Sequence, residues 1–359
     1  MENQTGKRLD NLRLKLKEKG IDAAIIAKSA NYFYLSGFTG SFAYLIITQK
    51  DAVLVTDFRY KEQARIQAPL FEVMEYSDSI YSFLNDILKS KGIEILGFEE
   101  DYTSYKKFKE FEEKFSVKEL KPLGGMVEVL RMKKDQTEID IIKRAVKIAD
   151  DALSHVLGFI KPGVKEIEIA AELEYFMKKQ GAKGTSFDTI VASGERSALP
   201  HGVATEKVIE LGDAVTMDFG AIFEGYCSDM TRTVFVGRPK EELVKIYNIV
   251  LTAQKTALEG AVKGLEGKKI DAIARDIIYK EGFGFNFGHG LGHGVGIEIH
   301  EDPRLSPSGD IIMDDGMVVT VEPGIYVKGL GGVRIEDMIV INGNSPEVLT
   351  ASKKEMIVL

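Results

Sequence analysis

The chain has 359 residues, 44% of them apolar, and a formal charge of −8 at pH 7. That length exceeds one ordinary core and fits two domains, and the apolar share excludes a disordered protein. The acidic balance argues against nucleic acid or an anionic membrane as the main partner, since both call for a basic surface.

The chain opens polar and then amphipathic, without the apolar run of a signal peptide, and Leu9, Leu12 and Leu16 form a helical stripe. Ala23–Ala27, Ala43–Thr48 and Ala52–Val55 read as buried strands. Tyr60–Ala68 and Ile80–Ser90 read as helices, Ile93–Phe98 as a strand and Thr103–Phe115 as a helix. This alternation predicts a compact α/β domain over residues 1–122. It contains no histidine, so dimerisation or specificity is its expected task rather than chemistry. Residues 123–134, around Lys121–Gly125, read as a link.

From Asp135, with Glu138 at capping-box spacing, the pattern states one theme twice. Helices are expected over 136–157 and 166–180, then strands near Thr189–Ala192, Val215–Ala221 and Asp229–Val236. Helices over 240–261 and 269–282 follow, then strands at Met317–Val321 and Gly332–Ile341. Two such halves facing each other, within 135–359, would share one site at their axis. No run approaches the roughly 18 apolar residues of a membrane span. The single cysteine, Cys227, leaves no internal disulfide and reads as a small buried filler, so a reducing, cytoplasmic setting is expected.

The chemistry lies in the second region. Alternation in VTMDFG puts Val215, Met217 and Phe219 on one face and Thr216 and Asp218 on the other. Asp229 follows across a hairpin-length connection. Taken alone, this pair also fits two solvated aspartates, one at a strand end and one in a turn. The second half repeats the theme, with Glu322 in TVEPG and Glu336 in GVRIED. Four carboxylates meeting at one axis must take up protons or bind cations. Three of the five histidines fall in GHGLGHGVGIEIH, where His289 and His293 are flanked by glycine. His155 sits in a helical pattern and is expected to be ordinary. The glycine run lacks the βαβ setting of a phosphate loop, and neither HExxH nor GxSxG occurs.

The order MDFG, SDMTRT, GHGLGHGVGIEIHE, TVEPGIY and GGVRIEDM resembles the pita-bread metallopeptidases, in the branch of Xaa-Pro aminopeptidases and prolidases. The likeness runs from about Glu138 to the C-terminus, and YLSGFTG and VTDFRY are similar to the amino-terminal domain of that branch. It implies an α+β fold, a duplicated pita-bread catalytic domain behind a smaller α/β domain. It also implies two divalent ions on Asp218, Asp229, His293, Glu322 and Glu336, with Asp229 and Glu336 touching both. The hard donor set favours manganese or cobalt, with zinc admissible.

By the same resemblance Glu322 is the general base, His201 and His300 face the substrate as catalytic donors, and His289 lies in the pocket. Arg304 and Arg334 are assigned to substrate binding, Arg304 toward a substrate carboxylate and Arg334 also toward orienting the ligand carboxylates. The expected activity is hydrolysis of the Xaa-Pro bond in proline-containing peptides. The aminopeptidase is the leading reading and the dipeptide-restricted prolidase its alternative. A metal-free pita-bread binding module is a weaker reading, because no ligand position is lost. A homodimer is expected. Metal identity, the preferred first residue and substrate length are not written in the sequence.

Overall fold

The computed structural model describes residues 2–359, with side chains from residue 4 onward. The chain forms two compact units, Met1–Arg131 and Met132–Leu359.

The first unit runs α1 (Glu2–Glu18), β1 (Ala23–Ile26), α2 (Ser29–Ser36), β2 (Tyr44–Thr48), β3 (Ala52–Thr56), α3 (Lys61–Gln67), β4 (Glu72–Glu75), α4 (Ile80–Ser90), β5 (Ile95–Phe98), α5 (Tyr105–Lys114) and β6 (Glu119–Pro122). Its mixed sheet has the order β4-β3-β2-β1-β5-β6. The centre is antiparallel, and β4, β5 and β6 pair in parallel with their neighbours. The central strands β1 and β2 are buried throughout and apolar except for Thr48 at the end of β2, as expected of strands covered on both faces. Leu9, Leu12 and Leu16 are buried along α1. Helix α6 (Met126–Met132) lies within the segment read as a link.

The second unit states its theme twice. Helices α7 (Gln136–Val156) and α8 (Glu166–Lys179) precede β7 (Gly184–Thr185), β8 (Ile190–Ser193), β9 (Ala214–Phe219), β10 (Ala221–Phe223), β11 (Tyr226–Cys227) and β12 (Met230–Phe235). Helices α9 (Glu241–Gly260) and α10 (Gly267–Lys280) precede β13 (Gly292–Gly294), β14 (Glu301–Leu305), β15 (Val318–Val321), β16 (Gly324–Val327), β17 (Gly331–Arg334), β18 (Asp337–Val340) and β19 (Glu347–Val348). Asp135 and Glu138 close the capping box at the head of α7, each side chain accepting the other's backbone N–H.

Two sheets frame the centre, ordered β12-β9-β8 and β14-β13-β15-β18-β19. Val215, Met217 and Phe219 enter the core beneath the first, with Ile148, Ile169 and Leu173 of the helices. A second core gathers Ile246, Val250, Ile270 and Ile278 under Val319, Val321 and Ile339. The faces turned away from these cores carry Thr216, Asp218, Thr231 and Thr233. The expected strand Gly332–Ile341 is interrupted at Ile335–Glu336, because the Glu336 N–H leaves the ladder for the carbonyl of Thr231.

Glu166, fully buried on α8, anchors the loop between β8 and β9. It accepts from the Ser193 N–H (2.7 Å) and hydroxyl (2.8 Å), the Thr205 N–H (3.2 Å) and hydroxyl (2.8 Å), and Arg196. This is the loop that carries His201. Glu166→Ala would strand these donors and the partly exposed guanidinium, so we expect urea denaturation to show about 3 kcal/mol less stability. A loss under about 0.5 kcal/mol, the size of an ordinary surface change, would contradict this account.

Candidate metal centre

Strand pairing brings the carboxylates together. In β9 and β12 the register sets Asp218 opposite Thr231, and Asp229 stands one residue before β12. In β15 and β18 Val321 lies opposite Asp337, so the residues beside them, Glu322 and Glu336, emerge at the same end. One oxygen each of Asp218, Asp229 and Glu336 can lie within 4.8 Å of the others. His293 Nε2 stands 3.6 Å from Asp229 Oδ2 and 3.4 Å from Glu322 Oε1. Asp229 therefore belongs to two donor groups at once.

The glycines around His293 answer to close packing. A Cβ on Gly292 would lie 2.1 Å from the Thr320 carbonyl oxygen, and one on Gly294 2.4 Å from that of Asp302. The His293 N–H donates to the Thr320 hydroxyl, which donates to Glu322 Oε1. His293 Nδ1 faces the Gly294 carbonyl at 3.0 Å, so it carries the proton and leaves the Nε2 lone pair toward the carboxylates.

Arg334 ties the cluster from within. Its Nη2 donates to Asp218 Oδ2 (2.6 Å), its Nε to the Thr231 hydroxyl (2.9 Å), and its Nη1 to the Tyr326 hydroxyl (2.8 Å) and the Pro200 carbonyl (3.1 Å). The Thr231 hydroxyl in turn donates to Glu336 Oε2 at 2.7 Å. The carboxylate oxygens Asp218 Oδ1 and Glu336 Oε1 are buried and, among the described residues, face no hydrogen-bond donor. A buried anionic oxygen without a donor needs a proton or a cation.

The electrostatics agree. Burial lifts Asp229 and Glu336 far above the ordinary carboxylate range, and their carboxylate neighbours push the same way. Burial also raises Asp218, against the pull of Arg334, and lifts Glu322 to about 7. Burial lowers His293 to about 3, so this imidazole is neutral and able to ligate. Carboxylates and one neutral imidazole, with two oxygens lacking donors, fit a divalent-metal centre.

The other expected site residues occupy distinct places. His300 is exposed, and its ring lies 4.4 Å from that of His293. His201 is exposed and follows Pro200, whose carbonyl Arg334 holds. His289 bonds the Tyr326 hydroxyl (2.9 Å) through Nε2, and burial lowers it to about 4. Arg304 lies opposite His293 in the β13–β14 register, with an exposed side chain. Arg334 is 3% exposed, and its contacts run to Asp218, Thr231, Tyr326 and Pro200. His155 stacks on Phe176 at the surface, and Cys227 is buried. Sequence reasoning passed over Thr231, Thr320 and Tyr326. Alternation could have found Thr231, two residues after Asp229, and Thr320, two before Glu322.

Comparison with known proteins gives the same picture. Residues 140–343 match the model of metallopeptidase family M24, and residues 8–133 that of the creatinase/prolidase N-terminal domain. The chain is 49% identical to the solved Xaa-Pro dipeptidase from Bacillus anthracis, with a TM-score of 0.97 and coverage of 99% of this chain and 100% of that one. It is 44% identical to the Xaa-Pro dipeptidase of Pyrococcus furiosus over 98% of this chain and 99% of that protein. The solved X-Pro aminopeptidase from Thermotoga maritima MSB8 is 41% identical, with a TM-score of 0.91 and coverage of 96% and 100%.

The raised carboxylates fix the sign of a pH effect. In metal-free protein the fold retains carboxyl protons that the unfolded chain releases, so stability falls as pH rises through the folded value of about 7 for Glu322. His289, His293 and His300 act oppositely, since burial holds them toward the neutral form in the fold, and their effect fades as pH rises past their ordinary value of 6.5. Between about pH 7.5 and 8.5, a unit or more above that value, the carboxylates act alone. We expect calorimetry of chelator-treated protein to show a melting temperature that declines across this interval, and added manganese to remove the decline. A melting temperature that climbs across the interval without metal would contradict it.

Proposed function

Because the chain belongs to metallopeptidase family M24, we propose that it is an Xaa-Pro dipeptidase, cleaving dipeptides whose second residue is proline. The single observation that carries the metal-dependent reading is the pair of buried carboxylate oxygens, Asp218 Oδ1 and Glu336 Oε1, with no donor facing them among the described residues. Asp218, Asp229, His293, Glu322 and Glu336 would hold two divalent ions, manganese or cobalt by the hardness of the donors, with zinc admissible. Such ions, when bound, polarise the scissile carbonyl and make a water nucleophilic near neutral pH.

The chain's own residues do the rest. Glu322 takes the proton of the attacking water and passes it to the proline nitrogen as the C–N bond breaks. His300, beside His293, and His201 donate to the carbonyl oxygen as its charge grows. His289 and Arg334 fix Tyr326 from two sides, which shapes the pocket wall. A bond before proline is a tertiary amide without an N–H, so a site that acts on the carbonyl loses nothing by its absence.

The dipeptide preference rests on two supports. The relatives from Bacillus anthracis and Pyrococcus furiosus carry the name Xaa-Pro dipeptidase, which weighs toward the alternative in the sequence reading and away from the aminopeptidase. The exposed guanidinium of Arg304, on the strand beside His293, suits a free carboxylate close to the scissile bond. Two chains pairing as a homodimer in the cytoplasm complete the proposal.

The test compares Ala-Pro with Ala-Pro-Ala under manganese, cobalt and zinc in turn. We expect Ala-Pro to be cleaved faster, a chelator to abolish turnover, and Arg304→Ala to impair the dipeptide more than the tripeptide. Faster cleavage of Ala-Pro-Ala would restore the aminopeptidase, and full activity in metal-free protein would end the metal reading. His300→Ala should keep bound metal and lose about 10²–10³-fold in kcat. Asp229→Ala should lose metal and turnover together. An Asp229→Ala enzyme with normal metal content and rate would show the ligand set to be wrong.

A further inference from the structure

Behind the site, on the opposite face of β12 from Thr231, lies a second buried guanidinium. Arg232 is 1% exposed, and the five N–H donors of its guanidinium are all engaged. Nη1 donates to the Thr231 carbonyl (2.9 Å) and to the carbonyl of Glu336. Nη2 donates to Asp337 Oδ1 (2.7 Å) and the Ser352 carbonyl (2.7 Å), and Nε to the Lys353 carbonyl (3.0 Å). The residues so gripped are those that set Glu336. Thr231 accepts the Glu336 N–H on its carbonyl and donates its hydroxyl to the Glu336 carboxylate.

We propose that Arg232 is a positioning residue for the metal centre, and that the segment 351–354 is the strap that holds its guanidinium in place. The proposal rests on the metal-binding reading above. The strap has its own anchor: Asp150 on α7 accepts the Ala351 N–H (2.9 Å), the Ser352 N–H (2.8 Å) and the Ser352 hydroxyl. Tyr247 donates to the Lys354 carbonyl (2.9 Å), and Lys354 Nζ reaches Asp337 Oδ2 (2.6 Å). A line of hydrogen bonds therefore runs from the surface of α7 through Ser352 and Arg232 to the backbone of Glu336. A planar fork can span four carbonyls and a carboxylate at once, whereas an ammonium offers three donors from one point. Arg232→Lys keeps the charge beside Asp337 and loses the simultaneous grip on Thr231 and Glu336.

The test is manganese titration by calorimetry on the full chain, wild type beside Arg232→Lys and Asp150→Ala, each shown to be folded by circular dichroism. Supports of a metal ligand typically cost 10–100-fold in affinity when removed, so Arg232→Lys should bind manganese at least about tenfold more weakly. Its kcat on Ala-Pro should fall by a similar factor with KM roughly unchanged, and Asp150→Ala should shift both in the same direction by less. A merely structural role would lower the melting temperature and leave the affinity of the folded protein unmoved. Folded Arg232→Lys with wild-type manganese affinity overturns the proposal. Should that variant fail to fold, Asp150→Ala decides, and wild-type affinity there overturns it equally. A wild-type protein that takes up no manganese, cobalt or zinc removes the metal reading itself, an outcome distinct from equal binding by wild type and variant.

Discussion

The centre of this protein depends on the mutual repulsion of Asp218, Asp229, Glu322 and Glu336, carboxylates taken out of water and packed together. The guanidinium of Arg334 stands among them and, of these four carboxylates, donates to Asp218. A single guanidinium cannot balance four anions, so the fold itself creates the demand for protons or divalent ions. The same guanidinium also sets the geometry. By bonding Thr231, Tyr326 and the Pro200 carbonyl it registers β12, the β16–β17 hairpin and the loop of His201 around one point.

Thr231 shows how tightly that geometry is determined. Arg334 donates to its hydroxyl from the site side, and Arg232 donates to its carbonyl from the rear. The hydroxyl can pass its single proton only onward, to Glu336. Both guanidiniums thus act on Glu336 through one small residue, which turns two long and otherwise adaptable side chains into a rigid frame. Valine would match the shape of Thr231 and lose the relay.

Much of this was legible in the sequence for identifiable reasons. The period-2 pattern of β9 separates Asp218 from Val215, Met217 and Phe219, and the structure buries the latter three in one core. The capping box at Asp135, the four helices of the repeated theme and the glycines beside His293 each leave local signals. Strands β4 and β6 left none, because they are sheet edges whose residues are half exposed and mixed in polarity. Helix α2 was hidden by its aromatic residues and by burial on most of its surface, which erases the amphipathic period. The break in the strand at Glu336 and the partnership of Thr231 with Glu336 depend on residues that meet only in the fold. The choice between aminopeptidase and dipeptidase meets the same limit, since neither the exposure of Arg304 nor its place opposite His293 is visible in the chain order.

The proposed donors are spread in order from Asp218 to Glu336, with the first two supplied by one half of the second unit and the last three by the other. During synthesis the early aspartates leave the ribosome long before their partners exist, and two solvated carboxylates hold a divalent ion poorly. Selective capture of metal therefore waits until the second half has been made and has closed on the first. On the proposed ligand set, closure of the second half on the first precedes metal capture, and a product that stops short of Glu336 lacks one of the donors.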